Sequence, residues 1–81
     1  MNKIKLKNYS KFMGELIDVN DNKNPNVDSS RHIRYDDLLI NHKEYLNKNN
    51  KYYIYCNGGV KSKKVVAMLE FYGYDVTLVE K

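Results

Sequence analysis

The stretch that most limits the fold is YYIYCNGGVKSKKVVAMLEFYGYD, residues 52–75, which also holds the chain's single cysteine. KYYIYC, residues 51–56, is dense in aromatic and β-branched side chains and reads as a central strand. Asn57-Gly58 between apolar runs is a strong hairpin signal. A hairpin, however, needs a second strand straight after the turn. Here Val65, Met68, Leu69 and Tyr72 fall at i, i+3, i+4 and i+7, the spacing of a helix with one apolar face. Ser62 suits the cap of that helix and Gly73 its end. YDVTLVE, residues 74–80, then alternates as another strand. Strand, glycine loop, helix and strand in this order build a parallel sheet.

The other segments fit the same plan. MNKIKLK, residues 1–7, alternates with Ile4 and Leu6 on one side, which suits a short edge strand. NYSKFM, residues 8–13, allows one helical turn. ELIDVN, residues 15–20, reads as a buried strand with Asp18 near its carboxyl end. Residues 21–31, DNKNPNVDSSR, form a loop by composition. YDDLLINHKEYLNK has helical spacing through positions 35, 38, 39, 42, 45 and 46. Asp36 or Asp37 suits its first turn, where negative charge meets the helix dipole. The expected fold is α/β, a small parallel β-sheet flanked by helices, with one domain over residues 1–81.

An 81-residue chain stands near the lower limit for folding on apolar burial alone. One cysteine excludes an internal disulfide, and no C-x-x-C or Cys/His cluster suggests zinc. No stretch is long enough to span a membrane, and MNKIKLKNYS is not a signal peptide. A lone thiol without secretion signals fits a reducing, cytoplasmic setting. The net charge of +4 comes mostly from scattered lysines, which is the pattern of a solvated surface rather than a nucleic-acid footprint. The one local cluster is Lys61, Lys63 and Lys64, directly after the glycines, and it reads as a local anion field. His32 and His42 read as surface or helix-face residues, and the tyrosines as sheet and core packing.

Cys56 is thus expected at the carboxyl end of a parallel strand, the edge where open α/β sheets bind ligands. Gly58 and Gly59 let the backbone curl so that several N–H groups point inward and can hold an anion. The helix N-terminus adds partial positive charge at the same spot. Both favour thiolate over thiol, and Lys61, with Lys63 or Lys64, strengthens the field. A thiolate is the attacking species, so the arrangement activates a nucleophile without a general base. Free cysteine at a strand end is often only a small apolar residue. Position, glycines, helix and lysines together favour the reactive reading.

CNGGVKS followed by KKVVAMLEFYGYDVTLVE resembles the active-site loop and following helix and strand of rhodanese-like domains. Their pattern is Cys, a variable residue, a small residue, Gly, a variable residue, Arg or Lys, then Ser. Cys56, Asn57, Gly58, Gly59, Val60, Lys61 and Ser62 match it position by position. ELIDVN resembles the family's Leu-Ile-Asp-Val-Arg strand, with Asn20 where Arg is usual, and RHIRYDDLL resembles the approach to its middle helix. The resemblance covers about residues 15–80. It lacks the Gly-His-Ile-Pro-Gly-Ala run, aligned here with PNVDSS, and the family's Gly-Gly, aromatic residue and final helix, so it resembles a shortened version.

The resemblance implies sulfur transfer through a persulfide on Cys56, from thiosulfate or another sulfane-sulfur donor to cyanide or a thiol. It implies that N–H groups of residues 57–62 hold the outer sulfur and that Lys61 attracts the anionic donor. It implies no metal or organic cofactor; the partners are a small anionic donor and a thiol acceptor, which can be a protein. Asp18 would be structural, accepting backbone hydrogen bonds to hold the loop. A sulfur carrier or an interaction module of the same fold is the alternative. A cysteine phosphatase or arsenate reductase ranks lower, because those enzymes place Arg six positions after the nucleophile, where this chain has Ser62. The basic residue comes one position earlier and is Lys, which lacks the planar fork.

Overall fold

The computed structural model describes residues 1–81. Its strands are β1 (Lys3–Lys5), β2 (Glu15–Asp18), β3 (Arg31–His32), β4 (Lys51–Tyr55) and β5 (Asp75–Glu80). Its helices are α1 (Tyr35–Tyr45) and α2 (Val60–Phe71). The strands form one sheet in the order β1-β5-β4-β2-β3, and every neighbouring pair is parallel. β4 is the middle strand, as its aromatic and β-branched content predicts. β1 is an edge strand, where its lysines reach water.

Side-chain alternation divides the core into two layers. Tyr52, Ile54 and Cys56 pack with Ile17, Val76 and Leu78 and with Leu38, Val65, Val66 and Leu69 from the two helices. Both helices therefore cover one face. Tyr53, Tyr55, Leu16 and Val79 form the smaller layer on the other face, covered by Val27 and by Ile4, Leu6 and Tyr9 of the N-terminal segment. The Tyr9 hydroxyl donates to the Gly14 carbonyl at 2.6 Å and pins that segment down. A Cβ on Gly14 would stand 2.6 Å from the Lys51 carbonyl oxygen, so the close approach of β2 to β4 requires glycine there.

Four local expectations are corrected. The first strand stops at Lys5, because Leu6–Asn8 turn into a single 3-10 turn that brings Leu6 over the sheet. NYSKFM forms no continuous helical turn of its own; it holds a tight turn closed by Met13 N–H on the Ser10 carbonyl at 2.9 Å. The loop over 21–31 runs into the two-residue strand β3, which pairs Arg31 with Ile17 and His32 with Asp18. An Arg31–Glu15 ion pair clips this edge. Finally, α2 starts at Val60, two residues before Ser62, with Gly59 as the cap and no side-chain cap bond.

The end of α2 follows its glycine signal. Gly73 has φ +90°, and Tyr74 N–H reaches the Leu69 carbonyl while Gly73 N–H reaches that of Glu70. These are the paired bonds of a Schellman ending, which needs a left-handed residue at that place. No helix is long and apolar enough to cross a membrane.

Candidate functional site

Cys56 follows β4 directly and stands at the carboxyl edge of the sheet's middle strand. Gly59, at φ +80°, turns the chain sharply into α2. An L-residue resists that conformation, whereas glycine does not. Gly58 has no positive φ and open space around it, so the turn depends on Gly59 alone of the two. The turn aims two backbone donors at the cysteine sulfur. Gly59 N–H lies 3.1 Å from Sγ and Ser62 N–H 3.3 Å from it. Both belong to the start of α2, where N–H groups lack helical acceptors and carry the dipole's positive end.

Ser62 caps nothing; it is fully buried and its Oγ lies 3.3 Å from Sγ. The same hydroxyl lies 3.3 Å from the Gly59 carbonyl. With Cys56 as a thiol, S–H can donate to Oγ while the hydroxyl donates to Gly59. When the thiol ionises, rotation of the hydroxyl lets it donate to the sulfur instead. Sγ then has three donors around it. The N–H groups of Gly58, Val60 and Lys61 have no acceptor within the protein.

Asn57 is held from the loop that follows the neighbouring strand β2. Its N–H donates to Asn20 Oδ1 at 2.9 Å, and its Oδ1 accepts from Asn24 Nδ2 at 2.8 Å and from the Tyr55 hydroxyl at 3.2 Å. Burial pushes the Tyr55 phenol up from its ordinary value, which keeps it protonated as a donor. Asp18 is fully buried and anchors this network. Its carboxylate accepts from Asn20 N–H at 2.9 Å, Asn20 Nδ2 at 2.7 Å and Asn24 N–H at 2.8 Å. Asp18 thus orders residues 20–24, and they in turn hold the residue after the cysteine. Its action on the cysteine loop is through Asn20 and Asn24.

Lys61 departs most from the sequence expectation. Its Nζ meets Asp21 Oδ2 at 2.7 Å. That ammonium, hydrogen-bonded to Asp21, holds the Asp21 carboxyl below its ordinary value, with Arg34 adding a weaker pull. The open cleft beside Cys56, 570 Å³ in volume, is lined by Asn57, Gly58, Gly59 and Val60, and its cations include Lys63 and Lys64. Cys56 is 4% exposed and forms part of its floor. No group of three or more His, Cys, Asp or Glu side chains stands close enough to hold a metal ion.

Asn20, Asn24 and Asp21 were not singled out as site residues in the sequence. Their one signal is position: they follow Asp18 at the carboxyl end of β2, beside the end of β4. His42 lies apart from the site. It is buried between the rings of Tyr72 and Tyr74, and burial pushes its imidazole down from the ordinary value.

No family model and no curated protein matches the chain. Solved structures do. A rhodanese-related protein from Thermoplasma volcanium superposes with a TM-score of 0.79 at 23% identity, over 99% of this chain and 84% of that one. An NAD-dependent persulfide reductase from A. fulgidus contains the same fold, with a TM-score of 0.80 at 17% identity, over 98% of this chain and 15% of that one. A rhodanese-like domain protein from Staphylococcus aureus matches at 32% identity with a TM-score of 0.77, over 99% of this chain and 85% of that one. With sequence and fold agreeing along almost its whole length, this chain belongs to the rhodanese-like domain family.

Proposed function

We propose that the protein is a sulfurtransferase that carries a sulfane sulfur as a persulfide on Cys56. The observation that supports it most is the convergence of Gly59 N–H, Ser62 N–H and Ser62 Oγ on one sulfur at 3.1–3.3 Å. A buried thiol surrounded by donors is suited to hold negative charge and to react as thiolate. In the first step the thiolate attacks the outer sulfur of thiosulfate. A Cys56 S–S bond forms, the bond between the two sulfurs of thiosulfate breaks, and sulfite leaves with the electron pair. In the second step cyanide or a thiolate takes the outer sulfur and returns Cys56 as thiolate. Neither step needs an added proton donor, metal or redox cofactor.

The persulfide carries its charge on the outer sulfur, one bond further into the cleft. The unpaired N–H groups of Gly58, Val60 and Lys61 are suited to meet it there, since helix-start donors favour anions. A tetrahedral phosphate is a poorer fit. The position that would need a guanidinium fork carries Ser62, and its hydroxyl is already at the sulfur.

The test is thiocyanate formation from thiosulfate and cyanide, with Cys56→Ser in parallel. Turnover that depends on Cys56 supports the enzyme. A stoichiometric sulfur load that cyanide fails to remove but thiols do would support the carrier reading instead. Absence of any load with thiosulfate or polysulfide would end both.

A further inference from the structure

We propose that Lys63 and Lys64, and not Lys61, give Cys56 its preference for anionic donors, while Lys61 straps the cysteine loop to the loop after β2. The donor's identity rests on the sulfur-transfer reading; the placement of charge does not.

Three observations carry the assignment. First, Val60, Lys63 and Lys64 stand at i, i+3 and i+4 on α2, so they share one face of the helix. That face lines the cleft, and Val60 is 62% exposed there. Second, Ser62 points the opposite way, into the sulfur, and Lys61 turns to Asp21 at 2.7 Å. Lys61 is therefore held against Asp21, outside the lining of the cleft, and Arg34 at 3.8 Å shares the same carboxylate. Third, the other charged residues lining the cleft, Lys5, Glu80 and Lys81, lie on β1 and at or just after the end of β5, not on the helix that follows the cysteine loop. Lys63 and Lys64 have no carboxylate within ion-pair distance.

An anion entering over the first turns of α2 meets these two ammonium groups first. It then meets the free N–H groups of the loop. The arrangement selects small donors that carry negative charge beside the sulfur to be transferred, over uncharged organic trisulfides of similar size.

The test compares iodoacetate with iodoacetamide as alkylating agents of Cys56. Both lose iodide to the same thiolate attack and differ mainly in charge. The ratio of their rate constants reads the field at the sulfur and needs no sulfur chemistry. In K63Q/K64Q that ratio should fall about two- to fivefold at low ionic strength, and the difference should shrink in high salt. K61Q should leave the ratio near that of the unaltered protein while speeding amide exchange at Asn57. A fall in K61Q equal to or larger than that of the double variant would overturn the assignment. So would an unchanged ratio in the double variant, or a fall of the same size in K5Q or K81Q. If the ratio behaves as stated while no persulfide forms, the charge assignment stands and the sulfur-transfer reading fails.

Discussion

Replacing Ser62 by Ala tests the donor cradle at its least ordinary member. The substitution removes one oxygen, 3.3 Å from Sγ, and leaves the Ser62 N–H in place at the same distance. It needs no new space, because the side chain is fully buried and only becomes smaller. The Gly59 carbonyl loses the hydroxyl but still accepts from Lys63 N–H at 3.3 Å. Global stability should therefore change by no more than about 1 kcal/mol. A hydrogen bond to a charged group contributes about 1.5–3 kcal/mol, and a long contact to sulfur belongs at the low end. Losing it from the thiolate should slow alkylation by iodoacetamide at neutral pH about three- to fourfold, since about 1.4 kcal/mol is a factor of ten in thiolate population and the less stabilised thiolate regains about half of that in nucleophilicity. Stopped-flow alkylation against pH, with thermal melts of the same samples, measures both effects. A Ser62→Ala rate equal to that of the unaltered protein would refute the hydroxyl's role. A large drop in melting temperature with no separate rate effect would show a merely structural residue.

Other consequences follow from the backbone and the core. Gly59→Ala forces an L-residue to φ +80° with nothing crowding its Cβ, so the cost is backbone strain of about 1–2 kcal/mol, read in denaturant melts. Gly58→Ala, with no positive φ and open space, should be close to neutral in the same melts. Gly14→Ala drives a Cβ to 2.6 Å from the Lys51 carbonyl and should cost about 2–3 kcal/mol, as overpacking does. His42 gives a pH signature. Its folded value lies below the ordinary 6.5, so the charged form is disfavoured in the fold. That stability is present above the unfolded value and is lost as pH falls through the folded one. Denaturation midpoints should drop as pH falls below the ordinary imidazole value of 6.5, and His42→Phe should flatten that slope.

The strand–loop–helix unit was legible because its signals are local. Tyr52 to Cys56 carry strand residues, and Val65 and Leu69 mark the buried face of α2. The position of Cys56 at a strand end follows from those two facts. The role of Ser62 was not legible, because Gly59 takes the cap through its backbone and shifts the helix start two residues earlier. That shift moves Ser62 from the helix tip to the sulfur. The partner of Lys61 was hidden for another reason. Asp21 lies 40 positions away and meets it only because β2 and β4 are neighbours. The bond from Asn57 to Asn20 spans 37 positions and has the same origin. β3 was missed because two residues show no alternation, and its pairing rests on the Arg31–Glu15 clip and the neighbouring strand.

Sulfur transfer by this protein requires a persulfide on Cys56. Intact mass under non-reducing conditions after exposure to thiosulfate detects it. One sulfur atom should be gained, absent in Cys56→Ser and reversed by cyanide with release of thiocyanate. A gain that persists in Cys56→Ser, or no gain with either thiosulfate or a polysulfide, would contradict it.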